Sequence, residues 1–184
     1  MHEQVKLIVE RIKELRRISH ETMEETAAAC GISEADYAAY ERGDCDIPVG
    51  VLYAISHHFK VELSALLTGD EPHLHSLTLT KNGEGAEVKR RAPYEYQSLA
   101  YGFAHKKGEP FLVTVAPGTD SLPELNTHPG QEFNYVVKGK IKLFHNGREY
   151  LLEEGDSAFY DSEKPHGMKA VDSQAEFLAL IMAD

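Results

Sequence analysis

Hydrophobic residues in the first part of the chain recur every three or four positions, which is the period of an α-helix. Residues 5–17 begin this pattern and carry charged residues on the opposite side. An amphipathic helix is therefore predicted there, because one face can be buried while the other stays hydrated. The apolar face of this helix is expected to comprise Val5, Ile8, Ile12 and either Leu15 or Val9.

Capping residues divide the following segment into four further helices. Thr22 and Glu25 have the spacing of a capping box that opens a second helix, and the glycine after Cys30 ends it. Ser33 caps a third helix that ends at Gly43, and Pro48 begins a fourth. The run L-S-A-L-L supplies the fifth. Five short helices predict a compact all-α domain over residues 1–69.

After a short linker at residues 68–72, hydrophobic and polar residues alternate, which is the period of a β-strand. Asn146-Gly147 between two of the alternating segments is the preferred dipeptide of a tight hairpin. Many short strands joined by short turns predict an antiparallel sandwich or barrel over residues 70–184. The predicted strands are 76–80, 97–104, 110–116, 132–137, 140–144, 148–152, 157–160, 167–171 and 175–182. The fold class is thus multidomain, an α domain followed by an antiparallel β domain.

The composition is that of an ordinary globular protein, with 42% hydrophobic and 27% charged residues among 184. No apolar run is long enough to cross a membrane, and the first residues lack the layout of a signal peptide. Cys30 and Cys45 are too few and too far apart for a disulfide framework or a structural zinc cluster. We therefore expect a cytoplasmic protein with no membrane partner.

The net charge of −11 is spread over both predicted domains. Residues 1–69 contain 7 Lys and Arg against 12 Asp and Glu, a net charge of −5, and residues 70–184 contain 12 against 18, a net charge of −6. Neither domain has the basic surface of a protein that grips nucleic acid by neutralising phosphates alone.

Candidate metal ligands lie in the stretch from Pro117 to His166 of the β domain. Asn126 and His128 are two residues apart, so that on a strand they point to one face, and the turn after His128 brings Glu132 towards them. His166 follows a second turn, from which a later strand could return it to the same place. Two imidazoles and a carboxylate suit divalent Fe, Mn, Zn or Ni. The alternative is that these are polar residues at a strand turn.

These residues resemble the two motifs of the cupin superfamily over roughly residues 74–184. His128, Glu132 and Gly139 match the second His, the Glu and the closing Gly of the first motif, whereas Gly118 lies only near its opening Gly. The second motif is matched by Gly155, Asp156 and His166. Asn126 stands where the family has its first His, so one usual ligand is replaced by a neutral oxygen donor. The resemblance implies a double-stranded β-helix barrel with a metal held by Asn126, His128, Glu132 and His166.

Three further residues are candidates for the lining of a ligand pocket. Asn134 is expected to face the same way as Glu132, although an edge or solvent position is an equal alternative. Tyr101 and His105 are expected to share one face of a strand that continues the segment 97–104, where core packing is the alternative for the aromatic ring.

Residues 9–67 resemble the lambda-repressor-like, or XRE, helix-turn-helix domain. The turn C-G-I-S and the segment Y-E-R-G-D carry the likeness. Met23 occupies the position that usually holds a phosphate-contacting Gln, and the third helix offers acidic and methyl side chains that cannot make bidentate contacts to bases. The DNA-facing candidates are Arg16, Arg17, Met23, Ser33, Glu34, Ala35, Asp36, Ala38, Ala39 and Arg42, with Lys13 as a further phosphate contact.

Together the two resemblances imply a transcriptional regulator whose helical domain binds an operator under the control of a small molecule or metal in the cupin domain. One alternative is a metal-dependent cupin enzyme, an oxygenase or isomerase. Another is a helical domain that has become an interaction or dimerisation module. We also expect a homodimer, because the apolar segment 175–182 would suit pairing across a two-fold axis.

Overall fold

The computed structural model describes residues 3–70, 72–88, 94–117 and 122–182. Within these ranges the chain forms five α-helices followed by nine β-strands. The helices are α1 (Glu3–Ile18), α2 (Met23–Ala29), α3 (Glu34–Arg42), α4 (Val49–His58) and α5 (Leu63–Thr68). The strands are β1 (Ala86–Val88), β2 (Tyr94–Ser98), β3 (Glu109–Val115), β4 (Gln131–Lys138), β5 (Lys140–His145), β6 (Arg148–Glu153), β7 (Ser157–Asp161), β8 (His166–Ala170) and β9 (Ala175–Met182).

The predicted helix boundaries are confirmed at the caps. The Thr22 hydroxyl accepts a hydrogen bond from the Glu25 amide while the Glu25 carboxylate accepts one from the Thr22 amide, so that both unpaired amides are satisfied. The Ser33 hydroxyl caps α3 by accepting a hydrogen bond from the Asp36 amide. Gly43 ends α3 with φ of 72°, a left-handed conformation that glycine adopts without strain.

The helices pack around an apolar core to which α1, α3 and α4 each contribute. Ile12, Tyr37 and Ile55 are almost completely buried there, and the apolar face predicted for α1 is confirmed. An ion pair lies between two helices: the Arg16 guanidinium contacts the Glu41 carboxylate at 2.6 Å (Nε–Oε1) and 2.9 Å (Nη2–Oε2). Glu41 is only 4% exposed. Arg16 therefore connects α1 to α3.

The strands form two antiparallel sheets. The larger sheet has the strand order β1-β2-β3-β9-β4-β7 and the smaller has the order β6-β5-β8. The two sheets are not closed into a barrel within the described residues, so the predicted barrel is corrected to two sheets that carry an apolar core between them. The alternating burial of β3 and β9 places Phe111, Val113, Phe177 and Ile181 in that core.

The position of β9 corrects one argument about assembly. Strand β9 lies between β3 and β4 and forms hydrogen-bonded ladders with both. Because both of its edges are occupied, β9 cannot pair with a second copy of the chain across a two-fold axis. The apolar character of segment 175–182 reflects a central strand with one buried face.

Two predicted strands are wrong. Residues 76–80 alternate as a strand would, but they form no strand, and Leu77 and Leu79 are 74% and 80% exposed. In the predicted strand 97–104 only the first two residues are extended, because β2 ends at Ser98 and a turn follows. The strand that pairs with β3 begins earlier, at Tyr94. Sequence alternation does not identify which segments find a hydrogen-bonding partner.

The helical part packs directly against the sheets. Glu62, which precedes α5, accepts a hydrogen bond from the His105 amide at 2.5 Å, and its carboxylate lies 3.5 Å from Lys106 Nζ. Lys106 also lies 3.2 Å from the Glu109 carboxylate at the start of β3. The side chains of Lys106 and Glu109 are both buried, so Lys106 connects Glu62 of the helical part to Glu109 of the sheets. A helix long and apolar enough for a membrane span is not found among the described residues.

Candidate metal centre and interdomain cavity

The structure brings His128, Glu132 and His166 together. Each offers one ligand atom, and these atoms lie within 4.8 Å of one another. Their exposed fractions are 3%, 5% and 4%, respectively. The three predicted ligands with nitrogen or carboxylate donors are thus assembled in one buried cluster.

Backbone hydrogen bonds place these side chains. Asn126 pairs with His166 in an antiparallel bridge, with N–O distances of 2.8 and 3.0 Å. The His128 amide donates to the carbonyl of Ser162, and the Ser162 amide donates to the carbonyl of Gly130. The two halves of the site, which are far apart in sequence, are joined by these bonds. Gly118 lies outside the described residues.

The imidazoles are oriented by carbonyl groups. Nδ1 of His128 lies 3.2 Å from the carbonyl oxygen of Pro129, and Nδ1 of His166 lies 2.9 Å from that of Lys164. The opposite nitrogens, Nε2, lie 3.3 Å and 3.6 Å from Oε2 of Glu132. Nδ1–H bonded to a carbonyl leaves Nε2 as the coordinating atom, an arrangement typical of histidine ligands in metal sites.

The electrostatics favour an ionised carboxylate in this cluster. Burial opposes the charged form of Glu132, but hydrogen bonds and charge interactions with His128 and His166 outweigh it, and the pKa of Glu132 is lowered well below its ordinary value. Burial also lowers the pKa of His166, but the bond and the charge of Glu132 reverse this and leave that pKa raised. A negative ligand between two imidazoles suits a divalent cation.

Tyr160 holds Glu132 from the opposite side. Its hydroxyl donates to Oε1 of Glu132 at 2.8 Å and accepts from the Asn134 amide nitrogen at 2.8 Å. Burial, followed by the charge of Glu132, raises the pKa of Tyr160 well above its ordinary value, so the phenol remains protonated and keeps donating. Asn134 is completely buried behind Tyr160, and its Oδ1 lacks a hydrogen-bond partner among the described residues.

The residues present fit a divalent metal. The donor set is two imidazole nitrogens and one carboxylate, which is the facial arrangement of non-haem iron sites and also suits Mn, Zn or Ni. Its members are buried, mutually close and held by hydrogen bonds to their far sides. Asn126 is half-buried and lines the same cavity, where its side-chain oxygen is a candidate fourth ligand.

A cavity of about 670 Å³ opens above this cluster. We call it the interdomain cavity, because both parts of the chain line it. The sheets contribute Tyr94, Tyr96, Val113, Met168 and Phe177 as a mostly apolar wall. The helical part contributes the loop between α3 and α4 and the first turn of α4, which are represented by Asp44, Cys45, Asp46, Pro48, Val49 and Gly50.

The three residues predicted for a ligand pocket have different locations. Asn134 lies in the interior but supports Tyr160 behind the cavity wall. Tyr101 is 44% exposed in the turn that replaces the predicted strand. The side chain of His105 is 84% exposed and faces Glu62. Tyr101 and His105 are therefore not brought to the His128–Glu132–His166 cluster, because the segment that carries them is not a strand.

The arginines predicted to contact phosphate differ in availability. Arg16 is held by Glu41 and by the carbonyl of Glu21, so its guanidinium stabilises the fold and is not available to DNA. Arg17 is 64% exposed and only distantly paired, at 3.9 Å from Glu14. Arg42 is 59% exposed and lies 2.6 Å from Asp44. Lys13 contacts Glu10 at 2.9 Å.

The remaining DNA-facing candidates belong mainly to the start of α3. Glu34, Ala35 and Asp36 are exposed, as is Ser33, whose hydroxyl lies 2.6 Å from the Asp36 carboxylate. Ala38 and Ala39 are half-buried. Met23 is half-buried and packs against the core, which makes it a packing residue.

Several residues of the site were missed from the sequence. Tyr160 faces Glu132 as its cross-strand partner, and Gly50 lies against His128. Tyr94 and Tyr96 line the cavity from β2. The alternation in S-A-F-Y predicts that Tyr160 shares a face with Ala158. It does not predict which residue of β4 lies opposite Tyr160, because the register between two strands depends on both of them.

Comparisons with known proteins agree with this description. Residues 111–181 match a family model described as "Cupin domain". No curated protein sequence matches the chain significantly. A solved structure described as an HTH_3 family transcriptional regulator from Vibrio cholerae is similar, with 22% identity, a TM-score of 0.66 and 98% of this chain and 97% of that chain covered.

An enzyme has a similar fold as well. The structure of hydroxypropylphosphonic acid epoxidase from S. wedmorenis is 23% identical, with a TM-score of 0.54 and coverage of 95% of this chain and 96% of that chain. A structure described as FeII HppE is 22% identical with a TM-score of 0.55, and 96% of this chain and 98% of that chain are covered. At these identities the likeness concerns the fold alone.

Proposed function

We propose that the chain is a ligand-responsive transcriptional regulator in which residues 1–69 form the helix-turn-helix unit and residues 70–184 form the sensor. The observation that carries the proposal is the interdomain cavity, which lies over the His-Glu-His cluster and is lined by both parts of the chain. A ligand bound there contacts the helical part directly. The fold shared with the Vibrio cholerae regulator supports this reading.

In this proposal His128, Glu132 and His166 hold a divalent ion, with Asn126 or water completing its coordination. The ion would supply a Lewis-acidic point to which an oxygen atom of the effector binds. The apolar wall formed by β2, β3 and β9 would accept the rest of a small molecule, and the operator would be bound by a dimer in the cytoplasm. DNA contacts would come from Arg17 and Arg42 and from the exposed start of α3.

The proposal is tested by DNA-binding titrations with the full-length chain. Fluorescence anisotropy against the promoter upstream of its own gene would be measured with Fe²⁺ or Mn²⁺ and with a chelator. An ion-dependent change in affinity supports the regulator. Equal affinity for promoter and random DNA under both conditions contradicts it. The His166→Ala variant is the matched control, since it should bind DNA without responding to the ion.

A second candidate function is a metal-dependent enzyme, an oxygenase or isomerase. The observation that favours it is the buried donor set of two His and one Glu beside a cavity large enough for a small substrate. The acidic start of α3 and the use of Arg16 in the fold also favour it, because they weaken the DNA-reading surface. Oxygen consumption by the Fe²⁺-loaded chain, lost in His166→Ala, would support this alternative.

A further inference from the structure

A direct contact joins the metal centre to the first turn of α4. The imidazole of His128 lies against the backbone of Gly50, and a Cβ atom placed on Gly50 would overlap three atoms of that ring. Gly50 is buried and helical, so the glycine is not required by a positive φ. Glycine is required at this position because the His128 ring leaves no room for a side chain.

The ring cannot easily give way. The side chain of His128 is only 2% exposed, its Nδ1 lies at the carbonyl of Pro129, and its Nε2 lies beside Glu132. A shift of the ring would disturb the ion-binding arrangement, and a shift of α4 would move the helical part. The contact therefore links the geometry of the ion-binding cluster to the position of α4.

The next residue, Pro129, lies near the helical part as well, although less tightly. A Cβ atom on Gly31 would stand 3.4 Å from Cγ of Pro129. Gly31 belongs to the turn between α2 and α3, whereas Gly50 belongs to α4. Two consecutive residues of the sheet part, His128 and Pro129, thus lie close to the chain on both sides of α3. We call this dipeptide the 128–129 corner.

We infer that the 128–129 corner couples ion binding to the position of the helix-turn-helix unit. This inference rests on the proposed function, because it takes His128 as an ion ligand. When an ion fixes the His128 ring, the ring fixes the start of α4, and Pro129 beside it fixes the turn before α3. Without the ion the ring is held by weaker hydrogen bonds alone, so the helical part is held less tightly against the sheets.

The chain contains a natural reporter of this contact. Cys45 lies in the loop between α3 and α4 and lines the interdomain cavity. Cys30 is completely buried, and burial raises the pKa of its thiol to about 12, which makes it unreactive. The rate at which a thiol reagent modifies Cys45 therefore reports how closely the loop is held against the sheets.

The test uses the full chain, Mn²⁺ as the ion and a disulfide reagent on Cys45. Mn²⁺ prefers oxygen and imidazole donors over thiolates, so it will not protect the thiol by binding it. We expect Mn²⁺ to slow modification in the unaltered chain. In Gly50→Ala, modification should be several-fold faster and Mn²⁺ should bind about tenfold more weakly, the scale of losses when a supporting contact of a ligand is disturbed.

Two further variants make the result specific. Gly102→Ala is the matched control, because a Cβ there meets only Leu74 and Thr78 at 3.4 and 3.5 Å, and it should behave like the unaltered chain. In His128→Ala the ring is absent, so adding Gly50→Ala should not accelerate modification any further. Equal acceleration by Gly50→Ala in both backgrounds, or none in either, would overturn the coupling. Failure of the unaltered chain to bind Mn²⁺ would instead contradict the proposed ion site.

Discussion

Tyr160 and Glu132 face each other across β7 and β4, and the tyrosine hydroxyl donates to Oε1 of the carboxylate at 2.8 Å. The other carboxylate oxygen, Oε2, faces the two imidazoles. Tyr160 thereby leaves one oxygen of Glu132 for an ion and holds the other. The Asn134 amide donates to the same hydroxyl, so a buried residue behind Tyr160 helps to orient it.

Replacing Tyr160 by Phe should weaken ion binding without removing it. Loss of the bond frees Glu132 to rotate and leaves the Asn134 amide with only Met168 Sδ, at 3.6 Å, as an acceptor. We therefore expect an affinity about tenfold lower and a stability loss of about 1 kcal/mol. Mn²⁺ titration and urea unfolding measure the two effects. Tyr135→Phe is the control, because Tyr135 is on β4 but 41% exposed. Equal losses in both variants would contradict an orienting role for Tyr160.

Replacing His128 or His166 should reduce ion binding more than replacing Tyr160 does. His128→Ala and His166→Ala each remove one of three donors, and we expect elemental analysis to find no bound metal in either. Asn126→His should bind the ion more tightly, because it adds the imidazole that the resemblance to cupins predicts there. Metal retained by both Ala variants would place the ion elsewhere in the protein.

Local signals explain which parts of the fold were predictable. Thr22 and Ser33 act on amides within their own first turns, and Asn146-Gly147 closes a hairpin between adjacent strands, so these features depend only on nearby sequence. Leu77 and Leu79 alternate equally well, yet no segment that the structure describes pairs with them as a strand. Alternation fixes which face a residue would occupy, whereas strand pairing depends on distant segments.

The same distinction applies to the site. His128, Glu132 and His166 could be predicted because their spacing and residue types are local or belong to a motif. Gly50 could not, because its role arises from contact with a residue far along the chain in another part of the fold. His105 was assigned to a pocket by alternation, but its positive φ of 57° belongs to a turn and leaves the ring exposed.

Glu109 should make stability depend on pH. Burial raises its pKa from 4.5 to about 7 even though Lys106 opposes this, and the charge of Glu62 raises it further. Since the folded pKa exceeds the unfolded value, the folded state retains a proton that the unfolded state loses. This contribution is complete below pH 4.5 and is lost as the pH rises through 7, a change of about 3 kcal/mol.

Urea unfolding from pH 5 to pH 8 measures this dependence. Glu109→Gln keeps the side chain neutral at every pH, so over this range the decline in its free energy of unfolding should be about 2–3 kcal/mol smaller than in the unaltered chain. Glu154→Gln changes an exposed glutamate and should leave the decline intact. A steep decline that persists in Glu109→Gln would assign the pH dependence to other groups.

Replacing Arg16 should lower the stability of the fold. Its bidentate pair with Glu41 is largely buried, and removing one partner leaves the other charge without compensation. We expect Arg16→Ala to lower the free energy of unfolding by about 2–3 kcal/mol, below the range for fully buried pairs because Arg16 is partly exposed. Arg17→Ala, which alters an exposed neighbour, should cost less than about 0.5 kcal/mol. Equal losses in thermal or urea unfolding would contradict this assignment.

DNA binding should be weak at the start of α3. Glu34 is exposed in its first turn and repels phosphate, whereas Asp36 is occupied at the Ser33 cap, so Glu34→Gln should raise affinity for any DNA sequence without disturbing the helix. Arg17→Ala should lower affinity for all sequences alike. Few phosphate contacts imply a shallow dependence on salt. Anisotropy titrations of the promoter upstream of the chain's own gene and of random DNA, across a salt series, measure each effect.

Tight, selective binding with a steep salt slope would show that other basic residues carry the interface. Absence of binding by both Glu34→Gln and the unaltered chain at low salt would favour an interaction module over a regulator, because repulsion by Glu34 would then not be what prevents it.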